Sequence, residues 1–515
     1  MLIDTYQPED VFARVPELAA QTDPVLKALD EFLDDDDLYQ HVRADFGKRY
    51  RFTLVHGRHS TPVEVLLRML LCKHLYQWSY RETEERVKDS LVLRWFCRVY
   101  FERVPDETTL LRWLRTLRPE TLHALNDRVV HLAVQAKVTS GRKLRLDATC
   151  VQTDIHHPTD SGLLVDSVRV LSRLVKRAKG LVANQVSYVE QTCRSRLRSA
   201  KRVAQQLHRQ LRRKGEDKEA EQKVLYQKLI ETAEQMVRQA TRVVTALCQQ
   251  TESEAKRLLT QAVAVLPLVE GVIAQTRSRV LEGKKVPSDQ KVLSLFEPHT
   301  RAIPRHKGGA LVEFGRHVIL DEVEGGIVTR YEILQHPNEH GQAVEAVQHH
   351  QKVFEHPPNL VAGDRGVHSP ETEAALTAAG VRRVAIPAAG KLSEERKALE
   401  HTRRWKRGYR WRAGIEGRIA SLRRDYGWRK SAYHGEFGME RWLGLGVIGS
   451  RSPPYRPSHH QIKLSKREAQ SSENECLSFH QLLVPLLHFA GDTSTSITTR
   501  LYQRSPCNWA SSRLR

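Results

Sequence analysis

Long apolar runs are missing from this sequence, and their absence is the first constraint on what the chain does. No stretch approaches the roughly 18–20 consecutive apolar residues of a membrane span. The opening Met1-Leu2-Ile3-Asp4 lacks a basic region followed by an apolar one, so no signal peptide is expected. Cysteine is scarce: seven in 515 residues, odd in number, scattered and without a C-x-x-C pair. That argues against a disulfide framework and a structural zinc site, and for reduced intracellular thiols. Proline is absent between Pro158 and Pro267, and only Gly162, Gly180 and Gly215 interrupt that stretch. A long helical segment is therefore expected there, with Gly215-Glu216-Asp217 turning one helix back on another. Acid is the last deficit. Asp+Glu number 61 against 82 Lys+Arg, a net charge of +21, and such a surplus points to a polyanionic partner.

The surplus is uneven. Residues 1–40 hold eleven acids and two bases, whereas residues 381–430 hold sixteen bases and five acids. In the basic segment Trp405, Tyr409, Trp411, Tyr426 and Trp428 interleave with Lys and Arg. Bases neutralise phosphates and rings stack on unpaired nucleobases, so this mixture predicts a nucleic-acid surface with Trp428 among its contacts. A run of charge is also what a solvated helix face looks like.

Residues 1–140 read as an all-helical unit. Thr61-Pro62-Val63-Glu64 and Ser79-Tyr80-Arg81-Glu82 are capping boxes, and Asp106 opens a further helix carrying Leu110, Leu114 and basic Arg112, Arg115 and Arg118. Short helices ending on a basic one suit a helix-turn-helix with Arg112 and Arg115 on DNA, or a plain bundle. Lys143 to Cys150 then alternates like a strand. Residues 165–289 form a helical insertion between two parts of one α/β unit, 141–164 and 290–450. In the second part, Val312–Leu320 and Ile327–Leu334 flank Glu324-Gly325-Gly326 as a hairpin. Asn359 to Asp364 and Arg383 to Pro387 read as short strands, giving a mixed sheet with helices packed on it. From 451 to 515 the composition shifts to serine and proline, an atypical tail that an out-of-frame or foreign extension would explain.

Three acids carry the chemical interest. Asp147 lies inside the first strand and Asp364 ends another behind Gly363, where carboxylates can converge on one sheet edge and hold hard divalent ions. Tyr409, Arg412, Glu416 and Arg423 recur at i, i+3, i+7 and i+14, within roughly a 60° arc of one helix. An exposed ion-pair ladder has the same look, but Gly414 and Gly417 weaken an exposed helix and imply close backbone approach instead. Histidine pairs at 156–157 and 349–350 lack further ligands at workable spacing.

The spacing Y-x2-R-x3-E-x6-[K/R] resembles the signature around the catalytic glutamate of bacterial insertion-sequence transposases of the DDE type. Asp147 in L-R-L-D-A-T and Asp364 in V-A-G-D-R-G are similar to that family's two strand aspartates, and His156 to Leu164 is also family-like. The resemblance spans roughly residues 40–450. It implies an RNase H-like core in which Asp147, Asp364 and Glu416 bind two Mg²⁺ ions, with Mn²⁺ able to substitute. It further implies nicking at terminal inverted repeats and strand transfer into target DNA. Tyr409, Arg412 and Arg423 would hold the DNA backbone, and a homodimer would form on paired ends. A cytoplasmic, nucleoid-associated bacterial protein is expected. Arg423 stands where the family usually has Lys, and 217 residues separate Asp147 from Asp364, with Asp154 and Asp160 as rivals for the first position. The alternatives are a catalytically inactive, transposase-derived DNA-binding protein, or a helical scaffold or RNA-binding protein built around the insertion.

Overall fold

Helix α1 (Pro24–Leu33) opens the described part of the computed structural model, which comprises residues 24–49, 59–183, 189–211, 218–304, 311–335, 341–388 and 390–450, with residues 5, 56, 186 and 339. It is followed by α2 (Asp36–Gly47), α3 (Val63–Leu75), α4 (Tyr80–Asp89), α5 (Leu91–Phe96), α6 (Glu107–Thr116) and α7 (Pro119–Gln135). Side-chain caps begin most of them. Asp35 accepts from the Leu38 amide, Asp106 from that of Thr109, and Ser79 with Glu82 forms the complete box expected. The box predicted at Thr61 does not form. Pro62 is the cap residue without a side-chain bond, and Glu64 turns instead to the buried Arg68, 2.9 Å away. Arg68 is 0% exposed and also reaches Asp30 at 2.5 Å, because a guanidinium taken out of water needs carboxylates around it. Every side chain of α3 is buried, so α3 forms the middle of the helical layer.

Strand β1 (Lys143–Gln152) follows, and the chain then leaves the sheet for its helical insertion. Thr159 caps α8 (Asp160–Ala178), so the helix starts five residues before the expected boundary at 165. Then come α9 (Val189–Thr192), α10 (Leu197–Leu211), α11 (Lys218–Leu247) and α12 (Ser253–Thr276), extended by a π-helical turn over Arg277–Leu281. These helices bury an apolar core of their own, with Leu164, Leu171, Ala200, Leu207, Leu229, Met236 and Val272 at its centre. The turn expected at Gly215-Glu216-Asp217 lies outside the described residues. Contrary to the expectation from the sequence, one helix, Ser253–Leu281, is long and apolar enough to cross a membrane by length and composition. Its Ala255, Leu258, Ala262, Val269 and Val272 are packed in the insertion core.

The chain returns as β2 (Arg301–Pro304), β3 (Val312–Val323) and β4 (Ile327–Ile333). The predicted hairpin is present, and Gly325 and Gly326 take φ of 82° and 75° in its turn, where a side chain would be strained. Helix α13 (Gln342–Phe354), β5 (Leu360–Ala362), α14 (Pro370–Ala378), β6 (Val384–Ala385), α15 (Glu394–His401), α16 (Arg403–Asp425) and α17 (Glu436–Gly449) complete the described chain. The six-stranded sheet runs β2-β3-β1-β5-β6, with β4 also on β3. β1 is antiparallel to β3 and parallel to β5, so the sheet is mixed. One face packs Leu144, Leu146, Ile319 and Val361 against Val347, Phe354 and Leu376. The other packs Val151, Val318 and Leu320 against Ile415, Ile419 and Leu422, in one core with the N-terminal helices and α17. Both faces are covered, as a mixed α/β architecture requires. The tail expected to be atypical, 451–515, lies outside the described residues.

Candidate active site

Parallel pairing of β1 with β5 sets Arg145 opposite Ala362, so Asp147 and Asp364 each stand two residues beyond the same rung. Leu146 points into the core, and strand alternation turns its neighbour Asp147 toward α16. Asp364 leaves the strand and caps a short turn over Arg365–Val367, accepting a 2.6 Å bond from the Arg365 amide. Helix α16 lies across this edge and supplies Arg412. Its Nη1 donates to Asp147 Oδ2 at 3.0 Å and its Nη2 to Glu416 Oε1 at 2.7 Å. The Asp147 side chain is 16% exposed. Burial lifts its carboxyl to about 6; Arg412 and the Ala148 amide oppose this, while Asp364 and Glu416 add to it. Asp147 thus feels the charges of both other acids predicted from the sequence, with a guanidinium between it and Glu416.

A fourth acid joins them. Glu339, between β4 and α13, is pushed up to about 7 by burial and then by the charges of Asp147 and Asp364. Its carboxylate lies over Gly366, where a Cβ would come within 2.9 Å. Nothing in the sequence singles Glu339 out, because it belongs to no strand alternation, helical stripe or motif.

The polar stripe of α16 is present on one helix. Tyr409 stacks on Trp405 at 5.2 Å between centroids and packs against Leu360, Ala362 and Ala385. The Arg412 guanidinium lies 5.5 Å from the Tyr409 ring centre. Arg423 is tied to the sheet, donating to Thr149 Oγ1 at 3.3 Å with Glu313 at 3.7 Å. Two further arginines fasten the helix to the sheet. Arg145 bonds the Trp411 carbonyl at 2.8 Å and Glu322 at 2.8 Å, while Arg418 bonds Glu322 at 3.2 Å and the Gly326 carbonyl at 2.7 Å. Close approach explains Gly414, where a Cβ would meet the Arg145 guanidinium at 2.0 Å, but not Gly417, which faces open space.

Trp428 corrects the expected DNA contact. It is 0% exposed, sealed under α17, and its indole donates to the Leu443 carbonyl at 3.2 Å. Gly446 admits it, since a Cβ there would lie 2.7 Å from the indole nitrogen. Tyr426 is buried as well, and Trp411 lies under Arg145, so these rings pack the protein instead of awaiting bases. Arg112 and Arg115 are exposed on α6, whose other face buries Leu110, Trp113 and Leu114. The rivals of Asp147 point elsewhere: Asp154 pairs with Lys430 at 2.6 Å and Asp160 with Arg279 at 3.0 Å. His156 faces Asp166, His349 faces Asp127 and His350 stacks on Phe354. Among the described residues no three His, Cys, Asp or Glu side chains stand as a ready metal-binding group. At the carboxylate cluster, Arg412 sits between Asp147 and Glu416. Carboxylate oxygens partly withdrawn from water, with Asp147 and Glu339 lifted first by burial and then by neighbouring acids, are nonetheless the donor set that suits a hard divalent ion.

Residues 15–116 match the family model of a transposase domain, DUF772, a stretch that takes in α1 to α6. The chain is 28% identical over 138 residues to an uncharacterized protein, ORF8 in the nfe locus, of Rhizobium meliloti. That alignment covers 26% of this chain and 65% of the relative's length. No solved structure matches the chain significantly.

Proposed function

We propose that the chain is a DNA transposase of the DDE type that nicks DNA at terminal inverted repeats and joins the freed end to target DNA. The observation that carries this reading is the convergence of Asp147, Asp364 and Glu416 around Arg412 at one sheet edge. The transposase-domain match over residues 15–116 supports it from an independent part of the chain. Strand order supports an RNase H-like core: three antiparallel strands, β4-β3-β1, continue into the parallel β5 and β6, and the last acid lies on a helix after β6. In this reading residues 1–140 contact DNA, 141–164 and 290–450 form the catalytic unit, and 165–289 are its insertion.

Asp147, Asp364 and Glu416 would hold Mg²⁺ ions, or Mn²⁺ in their place. Two such ions supply charge to the attacking and leaving oxygens of an in-line displacement at phosphorus. The protein's own part is positioning. Arg412 holds two carboxylates against their mutual repulsion and keeps further N–H groups for a phosphate, which a guanidinium grips in a fork. Tyr409, wedged between Trp405 and β5, fixes the height of that guanidinium above the sheet. Arg423, anchored on Thr149, adds positive charge about three turns beyond Arg412. Exposed Arg112 and Arg115 would contact duplex phosphates, and paired ends would bring two copies together.

Cleavage tests this directly. Labelled duplexes from the DNA flanking the protein's own reading frame are incubated with Mg²⁺ and wild type, Asp147→Ala, Asp364→Ala or Glu416→Gln. Nicking by the wild type alone is expected, with DNA affinity within about threefold for all four. Equal cutting by all four removes the assignment. Binding without cutting by any of them favours the inactive DNA-binding alternative.

A further inference from the structure

The insertion carries a cationic face that the carboxylate site does not use. From Cys193 to Lys214 the sequence contains nine Lys or Arg residues and no acid. Helix α10 occupies the middle of this run, and its two sides have opposite characters. Ala200 and Leu207 are buried in the insertion core, with Val203 and Ala204 packed beside them. Arg198, Lys201, Arg202, Gln205 and Arg209 are all exposed. At about 100° per residue these five fall within roughly a 100° arc, and about 16 Å of helix separates the first from the last.

A face meant only for solubility mixes signs, because i,i+4 pairs of opposite charge stabilise a helix while like charges repel. Neighbouring α11 does this, with Lys223 bonded to Glu219 at 2.9 Å. On α10 none of the four cations pairs with a described carboxylate. Four like charges on one face cost the isolated helix stability, which an external polyanion recovers. Because the apolar side is already spent on the core, insertion into a lipid surface has no apolar face to use. Duplex DNA fits: about 16 Å of its axis carries on the order of ten phosphates.

We infer that the exposed face of α10 is a second, sequence-independent seat for duplex DNA, gripping phosphates at a distance in sequence from both the N-terminal helices and the carboxylate cluster. It rests on DNA being the substrate, but not on the carboxylate chemistry. The test uses the full chain in EDTA, with duplex binding measured from 50 to 300 mM salt. Replacing Arg198, Lys201, Arg202 and Arg209 with Gln should make the slope of log K against log salt shallower by about 3.6 if all four grip phosphates, at roughly 0.9 per phosphate contact. Exchanging them as Arg→Lys and Lys→Arg should keep the wild-type slope. Four Gln substitutions at exposed Arg238, Arg242, Lys256 and Arg257 should change it by less than about one. Slopes equal for the α10 Gln variant and the wild type would overturn the inference. So would a wild-type preference for single-stranded RNA over duplex that the α10 Gln variant loses. Asp147→Asn should bind with the wild-type slope, so a failure of the catalytic reading and a failure of this one give different results.

Discussion

Replacing Arg412 with glutamine probes the carboxylate cluster without DNA or metal. In the wild type its guanidinium lies 3.0 Å from Asp147, and burial has still lifted that carboxyl from 3.8 to about 6. A carboxyl raised on folding opposes the fold when ionised, here by about 3 kcal/mol at pH 8. The penalty fades as pH falls through the folded value, because the folded state then takes up the proton first. Without Arg412, Asp147 loses its nearest opposite charge while Asp364 and Glu416 still repel it, so its pKa climbs further. Unit charges about 4 Å apart are worth roughly 4 kcal/mol at an effective dielectric near 20. Residual solvent screening and relaxation reduce this, so an added loss of about 1–3 kcal/mol at pH 8 is expected. At pH 5 Asp147 is mostly protonated in the wild type, and the variant should lose less than about 1 kcal/mol. Urea titrations in EDTA at both pH values measure the difference. Asp147→Asn in the Arg412→Gln background should recover most of the loss at pH 8. A variant as stable as the wild type at pH 8, or one with the same loss at both pH values, would refute the reasoning.

Gly414→Ala should destabilise by about 1–3 kcal/mol, since its methyl displaces Arg145 from the Trp411 carbonyl. Gly417→Ala faces open space and should be neutral or stabilising by up to about 1 kcal/mol in the same thermal melts. Burial drives the His74 imidazole down to about 3, with Lys73 adding to this and its bond to the Tyr426 carbonyl opposing. The unfolded chain therefore takes up the proton first as pH falls below 6.5. Between pH 7 and 5 the fold should lose about 2 kcal/mol, a dependence that His74→Gln flattens. Trp428→Ala should cost about 3–5 kcal/mol in urea unfolding, yet leave the salt dependence of DNA binding unchanged in the folded fraction.

Where a pattern is local, the sequence carried it into the structure. Leu144 and Leu146 alternate around Asp147 as a strand must, and two glycines with positive φ make the hairpin turn at 325–326. The stripe from Tyr409 to Arg423 needed only helical periodicity. What was not legible depends on distant partners. The box at Thr61 fails because the helix begins one residue later, with Pro62 as its cap, and Glu64 pairs instead with Arg68, which also holds Asp30 and the Phe96 carbonyl of other helices. Trp428 has the same neighbours in sequence whether it stacks on a base or lies under α17, and only Gly446 decides. Glu339 reaches the acids through a fold in which β5 lies beside β1, a juxtaposition that no local window contains.

Placing the insertion between β1 and its partners has a consequence for how the chain is made. β1 leaves the ribosome long before Gly315 to Val323 of β3, roughly 160 residues later, can pair with it. At about 5–20 residues per second this is a wait of roughly 8–30 seconds, with both edges of a strand that alternates apolar and polar residues unpaired. During that interval the insertion can gather its own core from contacts near in sequence, and helices close such contacts fastest. The order of synthesis thus makes the nascent β1 a target for chaperones. It also makes shortening the insertion a way to change the yield of folded protein without touching an acid of the site.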